Sequence, residues 1–153
     1  MTNPVTVRPA AAGDAPALAG LCTQLGYPST PEQVARRLAE ILPRPENAVF
    51  VAEVEGQAAG WIHVFVSRML EAEPFLEVGG LVVDEARRGL GLGGALMAEA
   101  ENWSRRRGVL EVRLRSNIIR KDAHRFYDSL GYANVKSQFT FHKRLAPVLR
   151  DTG

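Results

Sequence analysis

The sequence predicts an α/β fold, a mixed sheet flanked by helices, in one domain that spans residues 1–153. Three observations predict it. Strand-like and helix-like stretches alternate along the chain, which is the pattern of α/β folds. A hairpin signal in the first half indicates antiparallel pairing. A glycine-rich stretch between a strand and a strong helix indicates at least one parallel β-α-β unit.

The N-terminal part is predicted to contain one short strand and two helices. The strand covers residues 5–8, and the first helix covers 15–25 with Asp14 as its expected N-cap. The second helix starts at Thr-Pro-Glu-Gln, residues 30–33, which combines a capping box with proline at the first helical position. It runs to about residue 42.

A hairpin and a third long strand are predicted next. Residues 49–54 and 58–66 read as strands that are joined by Glu-Gly-Gln at 55–57. The following strand, 75–83, contains the pair Gly79-Gly80. Paired glycines within a strand indicate a bulge or a close approach by another backbone.

The chain after the glycine-rich stretch alternates again. The predicted elements are, in order, a long helix over 91–107, a strand over 109–115, a helix over 122–130 and a final strand over 139–145. The long helix carries its apolar residues at helical spacing, which predicts one buried face formed by Leu92, Leu96, Ala100 and Trp103.

The composition is that of an ordinary soluble globular protein. Hydrophobic residues make up 46% and charged residues 24%, and the net charge of +2 is too small to indicate nucleic-acid binding. No run approaches the roughly 18 apolar residues of a membrane span, and the N-terminus does not resemble a signal peptide. Because Cys22 is the only cysteine, an intrachain disulfide is excluded. We expect a cytoplasmic protein without nucleic-acid, membrane or metal binding.

The glycine-rich stretch, Arg-Arg-Gly-Leu-Gly-Leu-Gly-Gly at 87–94, has several interpretations. Residues 89–94 satisfy the dinucleotide pattern G-x-G-x-x-G, but that pattern normally follows its strand directly, and here residues 84–88 intervene. A P-loop is excluded because no Gly-Lys-Ser/Thr closes the motif. A glycine turn without a ligand is a third interpretation. The fourth is a cradle of backbone N–H groups for a pyrophosphate such as that of coenzyme A, and it fits best.

Three segments resemble the GNAT superfamily of N-acetyltransferases. Residues 88–93 are similar to its Arg/Gln-x-x-Gly-x-Gly/Ala acyl-CoA loop, and Leu-Val-Val-Asp at 81–84 is similar to the strand before that loop. Ala-His-Arg-Phe-Tyr-Asp-Ser-Leu-Gly-Tyr at 123–132 is similar to its later helix-turn signature. The resemblance implies a mostly antiparallel sheet in which the parallel strands 75–83 and 109–115 splay apart.

The resemblance also implies acetyl-CoA as co-substrate, lying between the two splayed strands. The Leu81 N–H would polarise the thioester carbonyl, and Val83 would pair with pantetheine amides. Arg120 stands where many members carry an asparagine, and Asn117 lies three residues earlier. The cofactor-binding residues implied in this way are Leu81, Val82, Val83, Arg88, Gly89, Leu90, Gly91, Leu92, Gly93, Gly94, Asn117 and Arg120.

Acetyl transfer to an amine requires two proton movements. An amine with a pKa near ~10.4 must lose a proton before it attacks, and a thiolate with a pKa near ~8.5 gains from a proton donor. By resemblance Tyr127 is the donor and Glu77 the candidate base; the alternatives are a core tyrosine and an exposed glutamate. His63 is a rival base and His142 a weaker one, and some members have no dedicated base.

The predicted function is direct transfer of acetyl from acetyl-CoA to a primary amine of a small cationic substrate. Glu71, Glu73 and Glu77 form an acidic cluster near the expected acceptor side, which suits a cation. The alternatives are a non-catalytic acyl-CoA sensor and an enzyme that acetylates a protein or peptide amine. Homodimers are common in the family, so the resemblance also implies that a homodimer can form.

Overall fold

A computed structural model describes residues 5–116 and 120–149. The chain divides into two compact units, Met1–Arg115 and Ser116–Gly153, which we call the N-terminal and C-terminal units. Each is described by itself. The expectation of a single domain over 1–153 stays a prediction.

The N-terminal unit contains a five-stranded mixed sheet. Its elements in chain order are β1 (Val5–Pro9), α1 (Ala15–Leu25), α2 (Pro31–Ile41), β2 (Asn47–Val54), β3 (Gln57–Met69), β4 (Ala72–Val83), α3 (Leu92–Arg106) and β5 (Val112–Arg113). The strand order is β1-β2-β3-β4-β5; all neighbours are antiparallel except β4 and β5, which are parallel. The predicted fold class is therefore confirmed.

Helices cover both faces of this sheet. On one face α1 and α2 bury a cluster that includes Leu18, Leu38 and Val51. On the other face α3 places Leu96 against β3 at Gly60. Val51 pairs with the residue next to Gly60, and neighbouring strand residues point to opposite faces, so the two helical layers are separated by the sheet. The buried face of α3 is confirmed: Leu92, Leu96, Ala100 and Trp103 are all buried.

The two N-terminal helices begin in different ways. For α2 the capping box is confirmed, because the Gln33 N–H donates to Thr30 Oγ1 (3.2 Å) and the Thr30 N–H donates to Gln33 Oε1 (3.0 Å). Asp14 precedes α1 as predicted, but its side chain caps no helical N–H. Its carboxylate instead accepts two charge-assisted bonds from Arg8 at 2.8 and 2.7 Å and one from the Ala11 N–H at 2.7 Å.

β4 bulges at its glycine pair, as predicted. His63 of β3 pairs with Gly80 while the next residue, Val64, pairs with Val78, so Gly79 has no partner in the register. A Cβ built on Gly80 would lie 2.8 Å from Cη2 of the Trp61 indole. The close neighbour of Gly80 is therefore a side chain and not a backbone.

The elements after α3 differ most from the prediction. Strand 109–115 is reduced to Val112–Arg113, and the C-terminal helix α4 covers Lys121–Ser129. The final strand predicted over 139–145 is wrong: these residues form no regular element. Phe139 and Phe141 are 91% and 90% exposed. Alternation alone does not make a strand, because its N–H and C=O groups need a partner strand, and the described part of the C-terminal unit contains none.

The helices are short relative to a bilayer. Among the residues that the structure describes, none forms a helix with the length and apolarity that spanning a membrane requires.

Replacing Gly80 by alanine should destabilise the fold. The added methyl would meet the rigid Trp61 ring at 2.8 Å, so the indole or β4 must shift. We expect the free energy of unfolding to fall by about 1–3 kcal/mol, the usual cost of overpacking, in urea denaturation. Gly20→Ala is the control: this helical glycine is exposed and its Cβ would meet nothing within 4 Å, so about 0.5–1 kcal/mol of stabilisation is expected. Equal stability of Gly80→Ala and wild type would contradict the packing described.

Candidate functional site

The glycine loop leads into a helix start whose N–H groups are available. Gly89 and Gly91 have positive φ angles of 85° and 76°, and Gly91 is the N-cap of α3. The N–H groups of the first three helical residues, which begin at Leu92, have no intrahelical acceptor. They carry part of the positive end of the helix dipole. A Cβ on Gly89, Gly91 or Gly94 would meet no atom within 4 Å, so open space lies over this cradle.

Side chains from outside the loop hold its entry in place. Arg87 donates to the Val54 carbonyl (3.2 Å) and to Gln57 Oε1 (2.7 Å), which ties the loop to the β2–β3 hairpin. Gln24, at the end of α1, accepts from the Glu85 N–H (3.0 Å) and donates to Asp84 (3.3 Å). Arg88, which follows Arg87 in the chain, is exposed. The loop thus enters α3 from fixed points on two other elements.

One edge of β4 is open along the half that approaches the loop. Among the described residues β5 pairs with β4 only at Leu76 and Glu77, although β4 continues to Val83. The Asp84 N–H donates to the Ala59 carbonyl of β3 (2.7 Å). Because successive residues direct their main-chain groups to alternate edges, Leu81 and Val83 face the open edge.

The main chain of Val82 is directed the other way. Its groups point toward β3, and a Cβ on Gly60 would lie 2.9 Å from the Val82 oxygen. Its side chain is buried in the cluster beneath α1 and α2. Of the three strand residues predicted to bind the cofactor, only Leu81 and Val83 present backbone groups to the open edge.

Glu77 lies on the sheet face that α1 and α2 cover only in part. Its side chain is 23% exposed, so it is neither a core residue nor a freely solvated one. Ser67 Oγ donates to Glu77 Oε2 over 3.4 Å, and Arg115 Nη2 lies 3.7 Å from Glu77 Oε1. The carboxylate therefore has polar neighbours on two sides.

His63 lies on the same face as Glu77. Glu77 pairs with Phe65, which is two residues from His63 along β3. His63 Nε2 is 2.9 Å from Asn47 Oδ1. Burial lowers the pKa of the imidazole below its usual 6.5, so it is neutral at neutral pH. His63 and Glu77 thus share one sheet face with Asn47 and Ser67, and Phe65 lies among these four polar residues.

Tyr127 lies in α4 of the C-terminal unit. Its ring makes edge contacts with Phe126 (5.2 Å between centroids) and Tyr132 (6.2 Å). Burial raises the pKa of the Tyr127 phenol above 10, so the group retains its proton at neutral pH. Arg120 immediately precedes α4 and is exposed. His142 is exposed in a segment without regular structure, and Asn117 lies outside the described residues.

Sequence reasoning missed four residues that order the site: Gln24, Asn47, Ser67 and Arg87. Each acts through a contact with a residue at least ten positions away in the chain. Only the strand register brings Asn47 beside His63 and Ser67 beside Glu77. For Asn47 and Ser67 the sequence signal was a polar residue within an otherwise largely apolar strand.

Metal ligation and thiol chemistry lack support among the described residues. Within residues 5–116 and 120–149 no group of three or more His, Cys, Asp or Glu side chains is placed to hold a metal ion. Cys22 packs at the edge of the α1–α2 cluster, where burial raises the pKa of its thiol, and it lies apart from the motifs described above.

Comparison with known proteins supports the same family. The model of the acetyltransferase (GNAT) family matches residues 18–132. An aminoglycoside N(6')-acetyltransferase type 1 of Serratia marcescens is 25% identical over 130 residues, which are 82% of this chain and 89% of that protein. An aminoalkylphosphonate N-acetyltransferase of Salmonella typhimurium is 37% identical over 91 residues, 59% of this chain and only 58% of its own length.

Structural comparison agrees on the fold. An aminoglycoside N-acetyltransferase solved in complex with CoA superposes with a TM-score of 0.84 at 19% identity, covering 95% of this chain and 98% of that one. The family model covers well over half of the chain, with the glycine loop and the Tyr127 signature inside the match. The chain therefore belongs to the GNAT family of acetyltransferases, and it is an acetyl-CoA-dependent N-acetyltransferase, as its sequence predicts.

Proposed function

We propose that the protein transfers acetyl from acetyl-CoA directly to the primary amine of a small cationic molecule. One observation carries the proposal: the open edge of β4 runs from beside Glu77 to the glycine cradle at the start of α3. An extended donor can lie along this edge with its phosphates at one end and its thioester near a carboxylate at the other.

The cofactor is bound mainly by backbone groups. The Leu81 N–H polarises the thioester carbonyl, and the Val83 main chain bonds the pantetheine arm. The N–H groups of Gly89 through Gly94, together with the exposed cation of Arg88, hold the pyrophosphate. Arg120, and Asn117 in the part not described, are proposed as further cofactor contacts on the family resemblance alone.

Glu77 and Tyr127 move the protons. Glu77 takes a proton from the ammonium, directly or through water, and the free amine attacks the thioester carbon. The C–S bond breaks as the C–N bond forms, and the sulfur leaves as a thiolate that accepts a proton from Tyr127. The raised pKa of Tyr127 keeps this proton in place until the thiolate develops. The second proton of the attacking nitrogen then restores the phenol through solvent.

A cationic acceptor is supported by the charges around Glu77. Glu71 precedes β4 and Glu73 lies at its beginning; both are exposed, and the same strand carries Glu77. Two relatives are named for amines, an aminoglycoside and an aminoalkylphosphonate. Arg115 already pairs with Glu77, so an entering ammonium must displace this guanidinium.

We also propose that the protein is a homodimer in the cytoplasm. Light scattering checks the oligomeric state, and cell fractionation checks the location.

Two experiments test this function. The first is calorimetric titration with acetyl-CoA and with NAD, and the second is an amine screen that detects released CoA thiol. Micromolar binding of acetyl-CoA, no binding of NAD and thiol release with small amines are expected. Binding without turnover of any small amine, protein or peptide would favour the non-catalytic sensor. Absence of acetyl-CoA binding at millimolar concentration would overturn the proposal.

Gly91→Ala should weaken acetyl-CoA binding by about tenfold or more in calorimetry. Gly91 is the N-cap with φ of 76°, which alanine adopts at a cost of roughly 1–2 kcal/mol, and its methyl would enter the space assigned to the pyrophosphate. Gly108→Ala is the matched control, because Gly108 has φ of 73° and similarly open surroundings but lies at the far end of α3. Equal loss of affinity in both variants would show that strain alone is responsible.

Glu77→Gln should lower kcat by about 100-fold at neutral pH, as expected for loss of a general base. Affinity for acetyl-CoA should stay within about twofold, since the cofactor contacts are backbone groups. The deficit should narrow as the assay pH approaches ~10.4, where the amine loses its proton unaided. Glu73→Gln, an exposed charge on the same strand, is the control. A pH-independent deficit would argue against proton transfer.

Tyr127→Phe should reduce kcat by about 100-fold with little change in KM for acetyl-CoA, because the ring contacts remain while the proton donor is lost. Tyr132→Phe, which alters a neighbouring ring of the same unit, should retain kcat. Steady-state kinetics with a common amine compares the two. Unaltered kcat in Tyr127→Phe would return this residue to a packing role.

A further inference from the structure

His63 is held in one protonation form by its neighbour on β2. Asn47 presents Oδ1 to His63 Nε2 at 2.9 Å. An amide oxygen can only accept a hydrogen bond, so Nε2 carries the proton and donates. In a neutral imidazole the other nitrogen, Nδ1, then has a free lone pair.

The Nδ1 atom borders the notch left by the β4 bulge. A Cβ built on Gly79 would lie 3.2 Å from His63 Nδ1 and 3.1 Å from Phe65 Cε1. Any side chain at this position would therefore crowd the lone pair. Gly79 is exposed and has no register partner on β3, so the notch opens away from the sheet.

The proton of an entering ammonium is better placed on Glu77 than on His63. Protonation removes a charge from the Glu77 carboxylate, whereas it creates a cation at a largely buried imidazole. Burial of the ring opposes that charge, and Asn47 offers no negative charge to offset it. Nδ1 is consequently suited to accept a hydrogen bond and not to keep a proton.

Resting on the proposed function, we propose that His63 is a specificity-determining residue. It accepts a hydrogen bond from a hydroxyl or second amino group beside the reacting amine, and Asn47 is its positioning residue. The preferred acceptors are then vicinal amino alcohols or diamines. His63 and Glu77 are diagonal neighbours across β3 and β4, which places their backbones about 7–8 Å apart. A 1,2-amino alcohol with a hydrogen bond of about 2.8 Å at each end spans this separation.

The test compares paired acceptors that differ in one donor. Each amine acetylated in the screen is paired with its O-methyl counterpart, starting with 2-aminoethanol against 2-methoxyethylamine. We expect wild type to prefer the hydroxylated member by about 3- to 10-fold in kcat/KM, the worth of one hydrogen bond. In His63→Leu the ratio should fall to about one, because leucine offers no hydrogen-bond acceptor. General damage would lower both members equally and leave the ratio at its wild-type value.

Three variants separate recognition from packing. His63→Asn should retain part of the preference, because its amide oxygen reaches the position of Nδ1. Gly79→Ala should reduce the ratio by crowding Nδ1. Asn47→Leu should also reduce it, and ¹⁵N NMR of the imidazole should then show a mixture of tautomers where wild type shows the Nε2–H form alone.

The outcomes distinguish this inference from the function on which it rests. Acetylation of amines without preference within any pair, or a preference that survives in His63→Leu, would overturn the role of His63 and leave the acetyltransferase intact. A wild-type imidazole protonated on Nδ1 would overturn it as well. Failure to acetylate any amine would overturn the proposed function and the role of His63 together.

Discussion

The site depends on β4, whose two edges differ in how far they are paired with a neighbouring strand. β3 pairs with β4 along nearly its whole length, whereas β5 leaves it after Glu77. Main-chain groups that lose a strand partner must find another, since an unpaired buried N–H or C=O costs about as much as a lost hydrogen bond. An extended ligand with its own amides and carbonyls can replace the missing strand. The proposed donor site is thus an interruption of strand pairing that a ligand would complete.

The bulge in β4 changes the direction of the residues that follow it. By adding a residue without a partner on β3, it shifts the side chains beyond it by one position, so that Leu81 and Val83 present their backbone to the open edge while Val82 packs beneath the helices. The same extra residue creates the notch beside His63. In the proposed function this one irregularity aligns the donor edge with the acceptor face. A side chain at Gly79 would crowd His63 and Phe65, and one at Gly80 would meet the Trp61 ring.

Local chemistry explains why much of the fold could be predicted. The α2 capping box, the Glu55-Gly56 turn and the glycine bulge are determined by residues next to one another, and all three were identified from the sequence. Asp14 occupies the predicted N-cap position, but its side chain bonds Arg8 of another element and caps no N–H of α1, which the sequence did not indicate. The strand over 139–145 was predicted from local sequence, which says nothing about whether a neighbouring strand is available.

The candidate site shows the same division. The glycine loop and the Tyr127 signature are contiguous motifs, so resemblance identified them. Asn47 and Ser67 became visible only through strand register, which places residues 16 and 10 positions apart in contact. A single sequence contains no direct signal for such pairs.

Mutation can alter the side-chain face of β4 more readily than its open backbone edge. In the proposed function the donor contacts are made by peptide groups, whose N–H every residue except proline carries, while the acceptor contacts are made by side chains such as those of Glu77 and His63. Point mutations can therefore exchange one amine for another along this face while the edge that binds the donor is retained. Proteins that share this sheet can therefore diverge in acceptor specificity while they keep the same mode of binding the acetyl donor.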